Sequence, residues 1–557
     1  MTNYEIADHF SLLSKLMDIH GENSFKSKSY SIAAFNIERL PVEITTMDDA
    51  GLFAVKGIGE SMGRKIRELL VTGKLPQLEL LIAETPPGIM DMLHIKGLGP
   101  KKIADIWNIL GIESLGELEY ACNENRLVSL KGFGTKTQES VLQNIVYFKQ
   151  NLGFHLWAEV ELLANNIVNQ ITKNYPDDLC SLTGDVRRHC ETVEFIDLVC
   201  TLDEDQLKSE FSSVADTVFE LLADGRLVVK MPGQPRLRFL MVGMDSFYVE
   251  LFASTGSQEF IEAFTNCYSI PEGVESEEAI FEENGLAFIP AYRRETAAIL
   301  EIAETGELNE VIQPSDIKAI IHSHSTWSDG QNTIEQMAKA AKNLGLEYLV
   351  ISDHSQTAFY AGGLKPEQIA AQHSEIDELN ARLAPFKIFK SIESDILGDG
   401  SLDYNLQILN TFDIVIASVH SNLKMTEEKA MDRVLTAIKN PYTSILGHPT
   451  GRLLLSRKGY PLDHKKVIDT CAEHNVVIEI NAHPRRLDLD WRWIEYAIEK
   501  GVLLSIDPDA HAIEGYHDTY YGTLIAQKGG LTAKGNLSSY TLAEFEAFLA
   551  IQKMKRG

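Results

Sequence analysis

Nine histidines and carboxylates between positions 322 and 511 have the types and spacing of a metal cluster: His322, His324, Asp329, His354, Glu393, His420, His448, Asp509 and His511. Seven short apolar runs lie in this region, read as IIHSHSTWSDG, LVISDHS, SIESDI, IVIASVHS, SILGHP, VIEINAH and LLSIDPDAH, and six of them end on one or more of the nine. Nitrogen and oxygen donors in this number can hold two or three divalent ions. A cluster of such ions is what hydrolysis of a phosphate ester needs.

The apolar runs alternate with helical stretches from about Ile317 onward, the pattern of a parallel βα barrel. Carboxyl ends of successive parallel strands converge on one mouth, which would bring the nine side chains together. A single His-x-His is equally an ordinary strand pair, and a lone Asp-Ala-His says little. The signal lies in all nine falling at strand ends.

A chain of 557 residues is too long for one core and predicts three to five domains. No apolar run reaches the ~18 residues of a membrane span, and the opening MTNYEIADHF lacks a charged-then-apolar leader pattern. The six cysteines form no Cys-x-x-Cys pair. A cytoplasmic, monomeric protein with free thiols and no membrane partner is therefore the expectation. The net charge of −29 argues against coating nucleic acid by charge alone. The first 150 residues are close to balance, with 16 basic against 19 acidic.

That first part repeats one pattern three times: Val55-Lys-Gly-Ile-Gly59, Ile95-Lys-Gly-Leu-Gly99 and Leu130-Lys-Gly-Phe-Gly134. Each copy follows one helical segment and opens another. Gly57, Gly59, Gly97, Gly99, Gly132 and Gly134 let the backbone approach a partner closely, and the next helix offers free N–H groups that suit a phosphate. This is the helix-hairpin-helix signature for DNA binding without sequence readout. A packing hairpin with glycine caps is the alternative.

Residues from about 151 to 310 mix strands and helices, with alternating strands at VEFIDLVCTL, GRLVVKM and RLRFLMVGM. The stretch from about 289 to 314 is charged and reads as a connection. The expected division is a helical domain with the first hairpin (1–85), the second and third hairpins (86–150), an α+β region (151–300), a linker (301–316) and the barrel (317–557).

The order of parts resembles the bacterial X-family DNA polymerases with a C-terminal PHP (polymerase and histidinol phosphatase) domain. The resemblance covers nearly the whole chain and is most specific at HSHSTWSDG, ESDIL, ASVHS, LGHPTGRLL, NAHPRRLDLDWRW and DPDAH. It implies a multidomain α/β protein: helix-hairpin-helix N-terminal part, nucleotidyltransferase-like palm and thumb, and a distorted seven-stranded barrel. It also implies three ions, Mn²⁺ or Zn²⁺, and 3′→5′ removal of nucleotides from DNA, with cutting at abasic sites. By motif the first ion takes His322, His324, Glu393 and Asp509. The second shares Glu393 and adds His420 and His448. The third takes Asp329, His354 and His511. Arg452, Arg485 and Arg486 are weaker phosphate-contact candidates, and His483 stands where the family usually has Asn.

The palm departs from the family pattern. Gly-Ser, Arg-Arg and Asp-x-Asp are expected, with a third Asp on a later strand, the three carboxylates holding two Mg²⁺. Here Asp185 replaces the Ser, Phe195 stands for the first Asp, Asp197 is kept, and Arg238 stands for the third. Glu194 is one residue out of register and points to the other face of a strand. Asp185 would face and repel phosphates. A palm Mg²⁺ site is therefore not expected, and polymerisation is predicted to be lost. Arg187 and Arg188 remain candidates for DNA contact, with a structural ion pair as the alternative.

The resemblance also places a Schiff-base lysine of abasic-site lyases at Lys65, which is equally a phosphate contact or solvated lysine. Lys28, in the stretch Phe25 to Tyr30, is a DNA-contact candidate near a gap. The expected activity is metal-dependent hydrolysis of gapped, nicked or 3′-ended DNA in repair, centred on His322, His324, Glu393, His420 and Asp509. A surviving gap-filling polymerase, a DNA-binding scaffold and a small-molecule phosphoesterase are the rival readings.

Overall fold

Three times in the first 150 residues the chain makes the same turn. The N–H groups of Ile58, Leu98 and Phe133 donate to the carbonyls of Val55, Ile95 and Leu130 at 3.0, 3.0 and 3.1 Å. Gly57, Gly97 and Gly132 precede these residues at φ of +84°, +91° and +87°, a conformation that glycine adopts without steric cost. The helices Gly59–Thr72, Pro100–Leu110 and Thr135–Asn151 follow. Gly99 and Gly134 are the extended N-caps of their helices, whereas Gly59 is already the first helical residue. The computed structural model describes every residue except 41, 125, 307, 309 and 557, with the backbone alone at 129 and 150.

The chain divides into two compact units, Met1–Leu152 and Gly153–Gly557. Phe10, Ile66, Leu78, Ile103, Leu118 and Ile145 belong to one hydrophobic cluster of the first unit. The hairpins expected in the segments 1–85 and 86–150 share this one core.

The second unit begins with a five-stranded sheet of β1 (Cys180–Leu182), β2 (Ile196–Cys200), β3 (Val218–Leu221), β4 (Leu227–Lys230) and β5 (Leu237–Met241). Its order is β1-β2-β5-β4-β3, with β2 and β5 parallel and the other pairs antiparallel. A helical subcore follows, in which Phe252, Phe260, Phe264 and Phe281 pack with Ile289, Ile299, Leu300 and Ala303. The expected linker 301–316 is corrected here. Its beginning lies in the helix Ala298–Thr305, which is amphipathic and buried against those phenylalanines. Ile312 further on is buried in the barrel core, its N–H bonded to Leu531 O at 2.8 Å.

Seven parallel strands complete the unit: β6 (Ala319–Ser323), β7 (Tyr348–Ile351), β8 (Lys387–Asp395), β9 (Ile414–Ser418), β10 (Ile445–Leu446), β11 (Val477–Asn481) and β12 (Leu504–Asp507). They pair in sequential order. Fully buried, nearly continuous apolar strands are what a parallel sheet covered on both faces requires. The first and last strands meet just past their carboxyl ends, where Ala510 N donates to His322 O at 3.2 Å and His324 N to Ala510 O at 2.8 Å. The result is a nearly closed barrel.

Palm and barrel pack against each other within the second unit. The barrel helix Thr519–Lys528 sends Leu524 into the palm core beside Trp157 and Val186. Lys528 Nζ, fully buried, donates to Arg188 O at 2.7 Å and to Glu295 at 2.5 Å. Removing one partner of a buried ion pair leaves uncompensated charge. Lys528→Met should therefore lower stability by about 3 kcal/mol, read as a lower midpoint in urea unfolding; an unchanged midpoint would refute this role.

Candidate metal centre

Glu393 lies near the end of β8, fully buried, and is the hub of the barrel mouth. Its Oε1 lies 3.3 Å from His322 Nε2, 3.0 Å from His420 Nε2 and 3.0 Å from His448 Nε2. Its Oε2 lies 2.9 Å from His354 Nδ1 and 3.6 Å from His324 Nε2. His322 and His324 flank the end of β6, and the residue between them, Ser323, points away as strand alternation demands. Asp509, just past β12, closes the ring 3.0 Å from His324 Nε2 and 3.5 Å from His322 Nε2. Asp329 lies 3.6 Å from His354 Nε2 and 3.4 Å from His511 Nε2.

All nine predicted residues thus come together. Three groups have donor atoms within 4.8 Å of one another: His322, His324, Glu393 and Asp509; His354, Glu393 and His420; and His324, Asp329, His354 and His511. These groups overlap. His324 and His354 each belong to two groups, and His448 reaches Glu393 without joining any of the three. The donor set fits divalent ions. His322 Nε2, His324 Nδ1 and Glu393 Oε2 are buried without a hydrogen bond among the described residues, and such atoms are costly to leave unpaired.

The electrostatics of the mouth favour cations. Burial raises the Glu393 carboxyl, but His420, His322 and His354 outweigh it and hold it well below the usual range. Burial lowers His420, yet Glu393 and Asp395 push it up to about 10. His324 goes the other way, to about 3, through burial and the neighbouring His511 and His354.

Two functional carboxylates escaped the sequence reading. Glu479 on β11 accepts from His322 Nδ1 at 2.5 Å and from the backbone N–H of His448. Asp395 accepts from His420 Nδ1 at 2.5 Å. Such partners orient a ligand imidazole and raise its basicity. The available signal was spacing: Asp395 follows Glu393 by two, on the same face of β8, and Glu479 precedes Asn481 by two on β11.

The arginines divide. Arg452 is spent on Arg486 O, Leu487 O and Asp490, so its expected phosphate role is corrected to a structural one. Arg485 is half exposed and 3.4 Å from Glu159. Arg486 stays at the mouth, 3.6 Å from Asp509. His483 Nδ1 accepts from Arg485 N at 3.1 Å.

The sequence matches the family "Helix-hairpin-helix domain" over residues 1–75, the "SAM-like Helix-hairpin-helix tandem" over 89–144 and the "PHP domain" over 321–483. It is 34% identical over 555 residues to the "DNA polymerase/3'-5' exonuclease PolX" of Bacillus subtilis, with 96% of each chain covered. The chain belongs to the bacterial X-family DNA polymerases with a PHP domain. Probable phosphatases of Thermoanaerobacter sp. and Vibrio parahaemolyticus are 29% identical over 212 residues and 28% over 257. These alignments cover 35% and 43% of this chain, and 80% and 96% of theirs.

In and beside the five-stranded sheet, Asp197, Glu194 and Asp185 pair with arginines. Asp197 on β2 lies directly opposite Arg238 on β5. The guanidinium forms two hydrogen bonds to the carboxylate, at 2.5 and 3.0 Å. Phe195 lies beneath Arg236 and Arg238, each 4.3 Å from its ring centre, and Glu194 pairs with Arg236 at 2.9 Å. Asp185, expected to face and repel phosphates, accepts from Arg188 at 2.5 Å. Arg187 and Arg188 are corrected from DNA contacts to internal ties. Arg187 binds Thr255 at 2.8 Å and Glu277, and Arg188 binds Glu295 at 3.1 Å and Thr255 O at 2.6 Å. In the first unit, Lys65 Nζ lies 5.8 Å from the Tyr30 ring, and Lys28 is exposed on the helix Ser24–Glu38.

Glu393→Gln should reduce the divalent metal retained per chain, measured by elemental analysis after Mn²⁺ loading and desalting. Asp395→Asn should weaken metal affinity by about 10- to 100-fold. Equal metal content in wild type and Glu393→Gln would rule out the hub.

Proposed function

We propose that the protein is a metal-dependent DNA hydrolase that removes nucleotides 3′→5′ at the barrel mouth, on gapped, nicked or 3′-ended DNA, and that its palm no longer polymerises. The observation that carries this reading is the contrast between its two candidate centres: eight candidate ligands group in the barrel with His448 beside Glu393, while Asp197 of the palm is paired with Arg238. Two or three divalent ions, Mn²⁺ or Zn²⁺, held by the nine residues would supply a water of lowered pKa and stabilise the attacking and leaving oxygens. Glu393 shares its two oxygens between neighbouring ligand groups, Asp395 and Glu479 orient the imidazoles, and Arg486 offers charge to a phosphate. The three hairpins present backbone N–H groups to the DNA backbone. Incision at abasic sites by the same mouth belongs to this reading. A β-elimination by Lys65 is a separate activity, to be traced by borohydride trapping of the protein on abasic DNA.

One finding favours a second reading, a surviving gap-filling polymerase: the relative from Bacillus subtilis aligned along nearly the whole chain bears the name of a polymerase as well as an exonuclease. The Asp197–Arg238 pair stands against it, because a two-metal palm needs clustered carboxylates.

Wild-type protein with Mn²⁺ should shorten a labelled primer from its 3′ end. His322→Ala and His420→Ala should each lower that rate by at least about a hundredfold, as expected when metal-centred stabilisation is lost. Persistent shortening in both variants would refute the barrel assignment. Supplied with template and nucleoside triphosphates, the same variants should add no nucleotides; extension would show that the palm is active.

A further inference from the structure

Between β7 and the helix Pro366–Leu383 the chain makes a loop rooted in the metal centre. Leu364 N donates to the carbonyl of His354 at 2.8 Å, so the loop leaves and returns beside a candidate ligand. Gly363 allows this closure, since a Cβ there would lie 1.9 Å from Ser355 O. Thr357 braces the near side, donating from Oγ1 to Asp395 at 2.8 Å and from its N–H to Asp403 at 2.7 Å. Gln356 N donates to Tyr404 at 3.1 Å.

This braced loop carries two aromatic rings in solvent. Phe359 is 85% exposed and Tyr360 63%. Their ring centres lie 5.9 Å apart with the planes at 78°. Tyr360 lies in the field of the mouth: burial and the carboxylates of Asp395, Glu393 and Asp329 push its hydroxyl up to about 12, with Arg486 opposing. Large apolar rings this exposed are normally a binding surface or a liability. The constraint here is that they project from a rigid loop beside the residues that would hold a scissile phosphodiester. What lies next to that phosphate in a DNA strand is a base, and every base has a π-face. Two rings nearly at right angles cannot both stack on one duplex step. They form a corner in which one ring takes the face of a single base and the other meets its edge.

We propose that Phe359 and Tyr360 form a corner that stacks the unpaired 3′-terminal base of the strand entering the mouth, so that frayed or mismatched ends are cut in preference to paired ones. This inference rests on the reading of the barrel as a DNA exonuclease. It adds the source of substrate preference: a terminal base must leave its pair to occupy the corner.

The test uses full-length, Mn²⁺-loaded protein and a primer whose 3′-terminal base is 2-aminopurine, joined by a phosphorothioate linkage to slow cleavage. Stacking in the corner should quench the 2-aminopurine fluorescence. The double variant Phe359→Ala/Tyr360→Ala should lose that quenching and bind the primer about tenfold more weakly, the scale of one lost base–aromatic stack. Tyr360→Phe should retain both. On ordinary primers the wild type should prefer a mismatched over a paired terminus, and a base-bearing over an abasic 3′ end. The double variant should lose both preferences while still cutting the abasic end at the wild-type rate. Quenching and preferences unchanged in the double variant would overturn the corner. A wild type that quenches through these rings but cuts no DNA end would overturn the exonuclease reading and leave the corner as a DNA-binding site. A wild type that neither quenches nor cuts would overturn both.

Discussion

The barrel is organised around one buried anion. Glu393 has no access to solvent, and five imidazoles approach its two oxygens. A buried carboxylate is tolerated only where positive charge and hydrogen bonds answer it. The surrounding chain bends to supply them. His322, His448 and Asp509 adopt positive φ of +60°, +24° and +52°, each costing on the order of 1–3 kcal/mol for a residue with a side chain. Glu479 bonds both the His322 ring and the His448 backbone, and so holds two of these strained positions at once.

The same reasoning separates the two halves of the second unit. In the barrel mouth, carboxylates outnumber the permanent cations near them, leaving a field that draws in cations. In the palm, the three carboxylates Asp197, Asp185 and Glu194 each have an arginine, respectively Arg238, Arg188 and Arg236. Burial raises the Asp197 carboxyl and Arg238 opposes it. An excess of buried anion is the signature of a metal site, and local neutrality is that of a structural core. The palm arginines have also gained a mechanical role. Arg188 and Glu295 receive the barrel's Lys528, so this cluster joins palm to barrel.

Much of this was legible in the sequence because the signals are local. Seven apolar runs, six with candidate ligands at their ends, specify seven parallel strands, and the Gly-apolar-Gly repeats specify three similar turns at Gly57, Gly97 and Gly132. In the palm, the two positions singled out separately in the sequence, Asp197 and Arg238, prove to be strand partners. What escaped was set by long-range partners. Nothing near Arg188 announces Lys528, 340 positions later, and nothing near Arg452 announces Asp490. The charged stretch after Ile289 looked like a linker because its apolar residues, Ile299, Leu300 and Ala303, are spaced for a helix face whose partner is a distant set of phenylalanines. Glu479 and Asp395 were missed because strand-end carboxylates were weighed as ligands and not as supports for ligands.

A chain with a net charge of −29 that acts on a polyanion cannot depend on long-range attraction. Its DNA contacts must work at short range. Helix N-termini and backbone N–H groups do so in the hairpins, because their partial charges act within a turn of the helix and do not alter the net charge. Base stacking does so as well, being indifferent to the sign of the surrounding field. An aromatic corner beside an acidic mouth therefore fits the electrostatics of the whole chain. Arginines placed there would be drawn into the carboxylates, as Arg486 is toward Asp509, whereas phenylalanine and tyrosine on a braced loop remain available to the base.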